Sequence, residues 1–140
     1  MPRLRYETTE HTADVGMKAY GDTLKEAFEN AAFGMFDMMI DTHSLPESRQ
    51  IDISAEADDT ESLLVAFLNE LLFIFETESL ALVRFEIVEW DEATRLSARA
   101  WGSPLADDTE RREQIKAITY HDIRVVQGAD RVEVEVLYDV

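Results

Sequence analysis

From Leu80 onward the apolar residues of this chain recur at every second position, whereas two long stretches before it repeat them at every third or fourth. A period of two turns one face of a strand to a core, and a period near 3.6 does the same for a helix. This change of period constrains the fold more than any other feature, because helices and a run of sequential strands must then share one apolar interior.

The first helical stretch carries Leu24, Phe28, Ala31, Ala32, Met35, Phe36 and Met39 on one face. Thr23 and Glu26 make a capping box at its start, and its end is predicted near Ile40, before the polar segment Asp41 to Arg49. The second opens on Asp58 and Asp59, with Glu61 favouring its first turn. Its residues Leu63, Leu64, Phe67, Leu68, Leu71, Leu72 and Phe75 cover more than half the circumference. Val15 to Tyr20 reads as a short strand, and Ile51, Ile53, Ala55 and Ala57 alternate as a second. Leu82 to Trp90 and Thr94 to Trp101 form a hairpin around Asp91-Glu92-Ala93. Gly102 to Glu113 is a polar loop, Ile115 to Val126 a strand region, and Arg131 to Val140 a final strand. The expected class is α+β: two helices packed on one face of a mixed, mostly antiparallel sheet, forming a single domain over residues 1–140.

Thirty acidic residues stand against 13 basic ones, a formal net charge of -17, and the bases are scattered. Such a chain repels a phosphate backbone, so direct nucleic-acid binding is not expected. The acid excess suits metal cations, a basic protein partner or plain solubility. There is no cysteine, which excludes disulfides, thiolate metal sites and a cysteine nucleophile. No apolar run is long enough to span a membrane and Met1 to Glu10 does not read as a signal peptide, so a cytoplasmic location is expected.

No nucleophile elbow and no phosphate-cradling glycine loop is present. The chemistry-bearing candidates lie near the two ends. Asp14 faces away from Val15 and Met17, and Asp139 lies on the side of its strand opposite the valines. If these strands pair, the two carboxylates approach each other, and a hard divalent cation relieves their repulsion. Val140, with its backbone carbonyl and terminal carboxylate, supplies further oxygen. This oxygen-only set favours Ca²⁺, Mg²⁺ or Mn²⁺ over structural Zn²⁺. On spacing alone, two solvated strand-end acids remain the simpler reading. His11 and Asp14 form a His-x-x-Asp pair, readable as ligands or an acid/base dyad, or as a histidine bonding its own turn. His43 reads as an exposed loop residue and His121 as a packed strand residue. Lys116 faces outward at a strand start; Glu70 is the odd acid within the apolar second helix.

Together these motifs carry a resemblance. His11-Thr12-Ala13-Asp14-Val15-Gly16 followed by Tyr20-Gly21-Asp22-Thr23-Leu24 through Ala32 looks like the opening of the archease family. Ser62-Leu63-Leu64 through Phe67-Leu68-Asn69-Glu70-Leu71-Leu72 resembles its second helix, and Ile115-Lys116-Ala117-Ile118-Thr119-Tyr120-His121 its later strand signature. The Asp139-Val140 ending is similar too, with Val where Ile is more usual. The resemblance implies an α+β accessory protein, not an enzyme. Its partner would be an RtcB-type RNA ligase of tRNA splicing and RNA repair, whose guanylylation and repeated turnover it promotes. It also implies a divalent metal site, Ca²⁺ first, built from Asp14, Asp139 and Val140, with Glu70 and Lys116 as function-linked positions. The alternative is a chaperone or modulator of another RNA-processing enzyme, such as an RNA methyltransferase.

Overall fold

A computed structural model describes residues 4–10, 14–91 and 94–140. Among these residues the elements are β1 (Tyr6–Glu10), β2 (Asp14–Gly21), α1 (Leu24–Met39), β3 (Arg49–Glu56), α2 (Thr60–Glu78), β4 (Leu80–Asp91), β5 (Arg95–Pro104), β6 (Ala117–Gln127) and β7 (Val132–Asp139). Thr23 caps α1 as its sequence predicts, accepting from the Glu26 backbone N–H at 3.1 Å. The Glu26 carboxylate accepts from the Asp22 N–H at 2.8 Å, one residue outside the usual capping-box partner. Asp59 caps α2, accepting from the Ser62 N–H at 2.7 Å. That bond to the ionised form holds the Asp59 carboxyl below its ordinary value.

The α+β class and the antiparallel pairing hold, but the strands divide between two sheets, ordered β1-β2-β7-β6 and β3-β5-β4. Every pairing in both is antiparallel. The helices are not on one face of a single sheet. α1 packs on β2 and β7 of the first sheet and on β4 of the second; α2 packs on β6 of the first and on β3 and β4 of the second. The reason lies in the helices themselves. α1 buries Phe28 and Met35 as fully as Ala31, Ala32 and Phe36, and α2 buries Leu63, Leu64, Val65, Phe67 and Leu68 together. A helix apolar over most of its circumference needs cover on two sides, and a sheet on each side provides it.

Helix side chains also close open sheet edges. β6 is an edge strand, and the Asn69 Oδ1 on α2 accepts its Ile118 N–H at 3.4 Å. β4 is an edge strand of the second sheet, and the Glu29 Oε2 on α1 accepts its Ile87 N–H at 2.8 Å, beside a register shift. Unpaired edge N–H groups are templates for association, so this stitching protects the fold. Burial raises the Glu29 carboxyl above its ordinary 4.5, against the opposing bond from Ile87. The native state therefore holds more proton than the unfolded chain as pH climbs through that value, and the Glu29 contribution falls with rising pH. Glu29→Gln keeps an acceptor and removes this pH-dependent component, so its urea midpoint at neutral pH should equal or exceed the wild type's. Glu29→Ala leaves the Ile87 N–H without its acceptor and should cost about 1–3 kcal/mol in the same measurement.

Candidate functional site

The site is set by the register of β2 and β7. Val15 pairs with Tyr138, Met17 with Val136 and Ala19 with Val134, and these residues turn toward the helices. Alternation sends the intervening residues to the outward face, where Asp14 stands directly opposite Asp139. Directly opposed residues hold their Cβ atoms about 4.5–5.5 Å apart, so two aspartates here repel unless a cation lies between them. On the far side of β7, Ala117 is the partner of Asp139, and the Lys116 N–H donates to the Asp139 carbonyl at 2.8 Å. Val140 follows, half-buried against the core. The structure thus brings Asp14, Asp139, Val140 and the Lys116 backbone together, with the Lys116 side chain exposed.

The next row across the same face is Thr9, Gly16, Leu137 and Thr119. Leu137 is only 2% exposed although it points away from the helices. The hydroxyls of Thr9 and Thr119 are buried and have no hydrogen-bond partner among the described residues. Each lies diagonal to one of the two aspartates, a separation of about 7–8 Å between backbones that a bridging ligand can span. Thr9 and Asp14 also line one cavity of about 760 Å³ with Tyr6, Met38 and Arg112. Buried orphan hydroxyls beside opposed carboxylates fit a polar, oxygen-liganded occupant. No cluster of three or more His, Cys, Asp or Glu side chains occurs among the described residues, so side chains alone do not complete a metal's shell. A cation held here would have to draw on the two carboxylates, backbone oxygen and water, a mixed shell of the kind Ca²⁺ accepts.

One wall of that cavity is a polar network that sequence reasoning missed. The Asp37 carboxylate accepts from the Tyr6 hydroxyl at 2.5 Å and from the Thr42 hydroxyl at 2.7 Å. Arg112 donates to the Asp37 carbonyl at 2.9 Å, while the N–H groups of Arg112 and Glu113 donate to the carbonyls of Met39 and Met38 at 2.8 and 2.9 Å. α1 carries no base in its last turn. Arg112, distant in sequence, supplies the positive charge and the donors which that helix end requires. Burial first, and the bond to Asp37 second, push the Tyr6 phenol up to about 12. The adjacent Arg111-Arg112 pair was the one local signal for this role.

The remaining candidates separate. Glu70 is exposed on α2 and His43 is exposed in its loop. His11 lies outside the described residues. His121 is not packed within its strand. β6 loses register between Thr119 and Arg124, Asp122 takes a left-handed φ of 55°, and the His121 side chain is 75% exposed beside the Asp122 carboxylate at 3.3 Å.

A sequence model of the Archease protein family (MTH1598/TM1083) matches residues 6–140. The chain belongs to the archease family. The protein archease of Thermococcus gammatolerans is 43% identical over 129 residues, 90% of this chain and 91% of that one. The protein archease of Pyrococcus furiosus is 40% identical with the same shares covered. The solution structure of protein 1598 from Methanobacterium thermoautotrophicum superposes with a TM-score of 0.80 at 36% identity, covering 97% of this chain and 99% of that chain. The crystal structure of an archease from Thermotoga maritima, described as a possible chaperone, shares the fold with a TM-score of 0.65 at 20% identity, each chain covered in full. The archease fold is therefore the frame on which Asp14 and Asp139 meet.

Proposed function

We propose that this chain is a non-enzymatic accessory protein that holds a divalent cation, Ca²⁺ before Mg²⁺ or Mn²⁺, and activates an RtcB-type RNA ligase by promoting its guanylylation and repeated turnover. The observation that carries this reading is the direct opposition of Asp14 and Asp139 on β2 and β7. The side chains of both, with the Val140 backbone, are the residues to hold the ion. Family membership and the resemblance of the Lys116 and Glu70 motifs support the partner. The net charge of -17 supports docking on a basic protein surface in preference to nucleic acid. A cation at this edge supplies positive charge for neutralising phosphate groups. The chain's own part is positional: Asp14 and Asp139 fix that charge at the open end of the sheet, and the buried rows behind them keep it there. No helix among the described residues is long and apolar enough to cross a membrane, which accords with the proposed cytoplasmic setting.

The test is label transfer from GTP to the purified ligase, at limiting accessory protein, with wild type, Asp14→Ala and Asp139→Ala. Wild type should stimulate guanylylation, and each folded variant should lose at least about tenfold of that stimulation. Unchanged stimulation by the variants removes the aspartate pair from the mechanism; no stimulation by wild type removes the ligase. The chaperone reading, with an RNA methyltransferase or similar enzyme as client, is favoured by the exposed Phe73 and Tyr120. Suppression of that enzyme's aggregation, without any effect on the ligase, would decide for it.

A further inference from the structure

We propose that the outward side of α2 centred on Phe73 is a docking surface for a partner protein carrying an apolar cleft rimmed by lysine and arginine. α2 buries Leu71, Leu72 and Ile74, yet Phe73 is 59% exposed. No ring contact involving Phe73 is seen among the described residues. On the helix surface its neighbours three and four positions away include Glu70, Glu76 and Thr77, and α2 contains no lysine or arginine anywhere. An exposed aromatic anchor flanked on its own helix by Glu70 and Glu76 matches the complementary arrangement, an apolar pocket with a basic border. It does not match nucleic acid, whose phosphates these acids repel, nor a second copy of this chain, whose acids would face these.

The position of Phe73 gives the surface its use. Asn69 of α2 bonds the Ile118 N–H, while Phe75 and Glu76 share a cavity wall with Gln114 and Ile115. Phe73 therefore lies level with residues 115–118, the segment whose Lys116 N–H bonds the Asp139 carbonyl. The segment 115–118 thus links α2, through Asn69, to the strand end that carries Asp139. Farther along β6 the register break leaves Tyr120 63% exposed.

The inference rests on the ligase reading for its probe. The experiment is isothermal titration of the RtcB-type ligase with wild type, Phe73→Ala, Phe73→Glu and the double variant Glu70→Lys/Glu76→Lys, at low and moderate salt. Melting curves and Ca²⁺ titrations are run on each variant as controls. Phe73→Ala should weaken binding at least about tenfold, Phe73→Glu further, and the double variant should weaken it while flattening its salt dependence. The substituted side chains are exposed, so melting midpoints and Ca²⁺ binding should stay at wild-type values. Wild-type affinity in both Phe73→Ala and the double variant overturns the docking surface and leaves the ligase reading standing. No binding by wild type overturns both.

Discussion

Gly102→Ala is expected to cost about 4 kcal/mol or more, enough to abolish folding in a domain whose whole stability is about 5–15 kcal/mol. Gly102 lies in β5, the central strand of its sheet, with Arg49 on one side and Leu82 on the other. A Cβ there would sit 1.8 Å from the Ala81 carbonyl oxygen and 2.7 Å from the Leu82 Cα, and both are backbone atoms that no rotamer change can move. The cause is the register shift between Leu82 and Arg84, which carries the β4 backbone across the place a side chain would occupy. Gly128→Ala is the matched control. Its closest contact would be the Arg131 oxygen at 3.2 Å, in an exposed turn that can yield slightly. Urea unfolding should find the Gly128 variant within about 1 kcal/mol of wild type and the Gly102 variant unfolded or aggregated. A folded Gly102→Ala protein of near wild-type stability would contradict the packing of β4 on β5.

Asp14→Asn and Asp139→Asn should reverse their effect on thermal stability when divalent cations are added. With chelator present, each removes one of two like charges on directly opposed residues and should raise the melting midpoint by about 1–3 °C. With Ca²⁺ at about a hundred times its dissociation constant, wild type should gain about 2.7 kcal/mol, or roughly 6–10 °C, and overtake both variants. A purely structural role for the acids moves the variants the same way in both conditions. Solvated, independent acids leave the curves together. Only a shared cation makes them cross.

Much of this arrangement is legible in the sequence. The helices announce themselves by spacing and by the caps Thr23 and Asp59, and the parity of Asp14 and Asp139 against their apolar neighbours already places both on outward faces. What alternation cannot encode is which strand lies beside which. It states that a residue faces in or out, not the identity of the neighbour, and so the division into two sheets is invisible to it. β1 escapes notice because Tyr6 to Glu10 is polar at most positions and pairs only with β2. His121 is misplaced by parity because β6 leaves register at Tyr120, and Asp tolerates the left-handed backbone at 122 that makes this break. Arg112 caps a helix end 75 positions earlier in the chain, a relation no local pattern carries. Phe73 falls off the apolar face of α2, and only the folded structure shows that it stays 59% exposed.

The proposed role of Asp14 and Asp139 depends on a cation shared between β2 and β7. Calorimetric titration of Ca²⁺ into the metal-free wild-type protein, with Asp14→Ala/Asp139→Ala as reference, addresses it without any partner present. One bound ion per chain in the wild type and none in the double variant is the predicted result. An identical heat in both proteins, or no saturable binding in either, would contradict it.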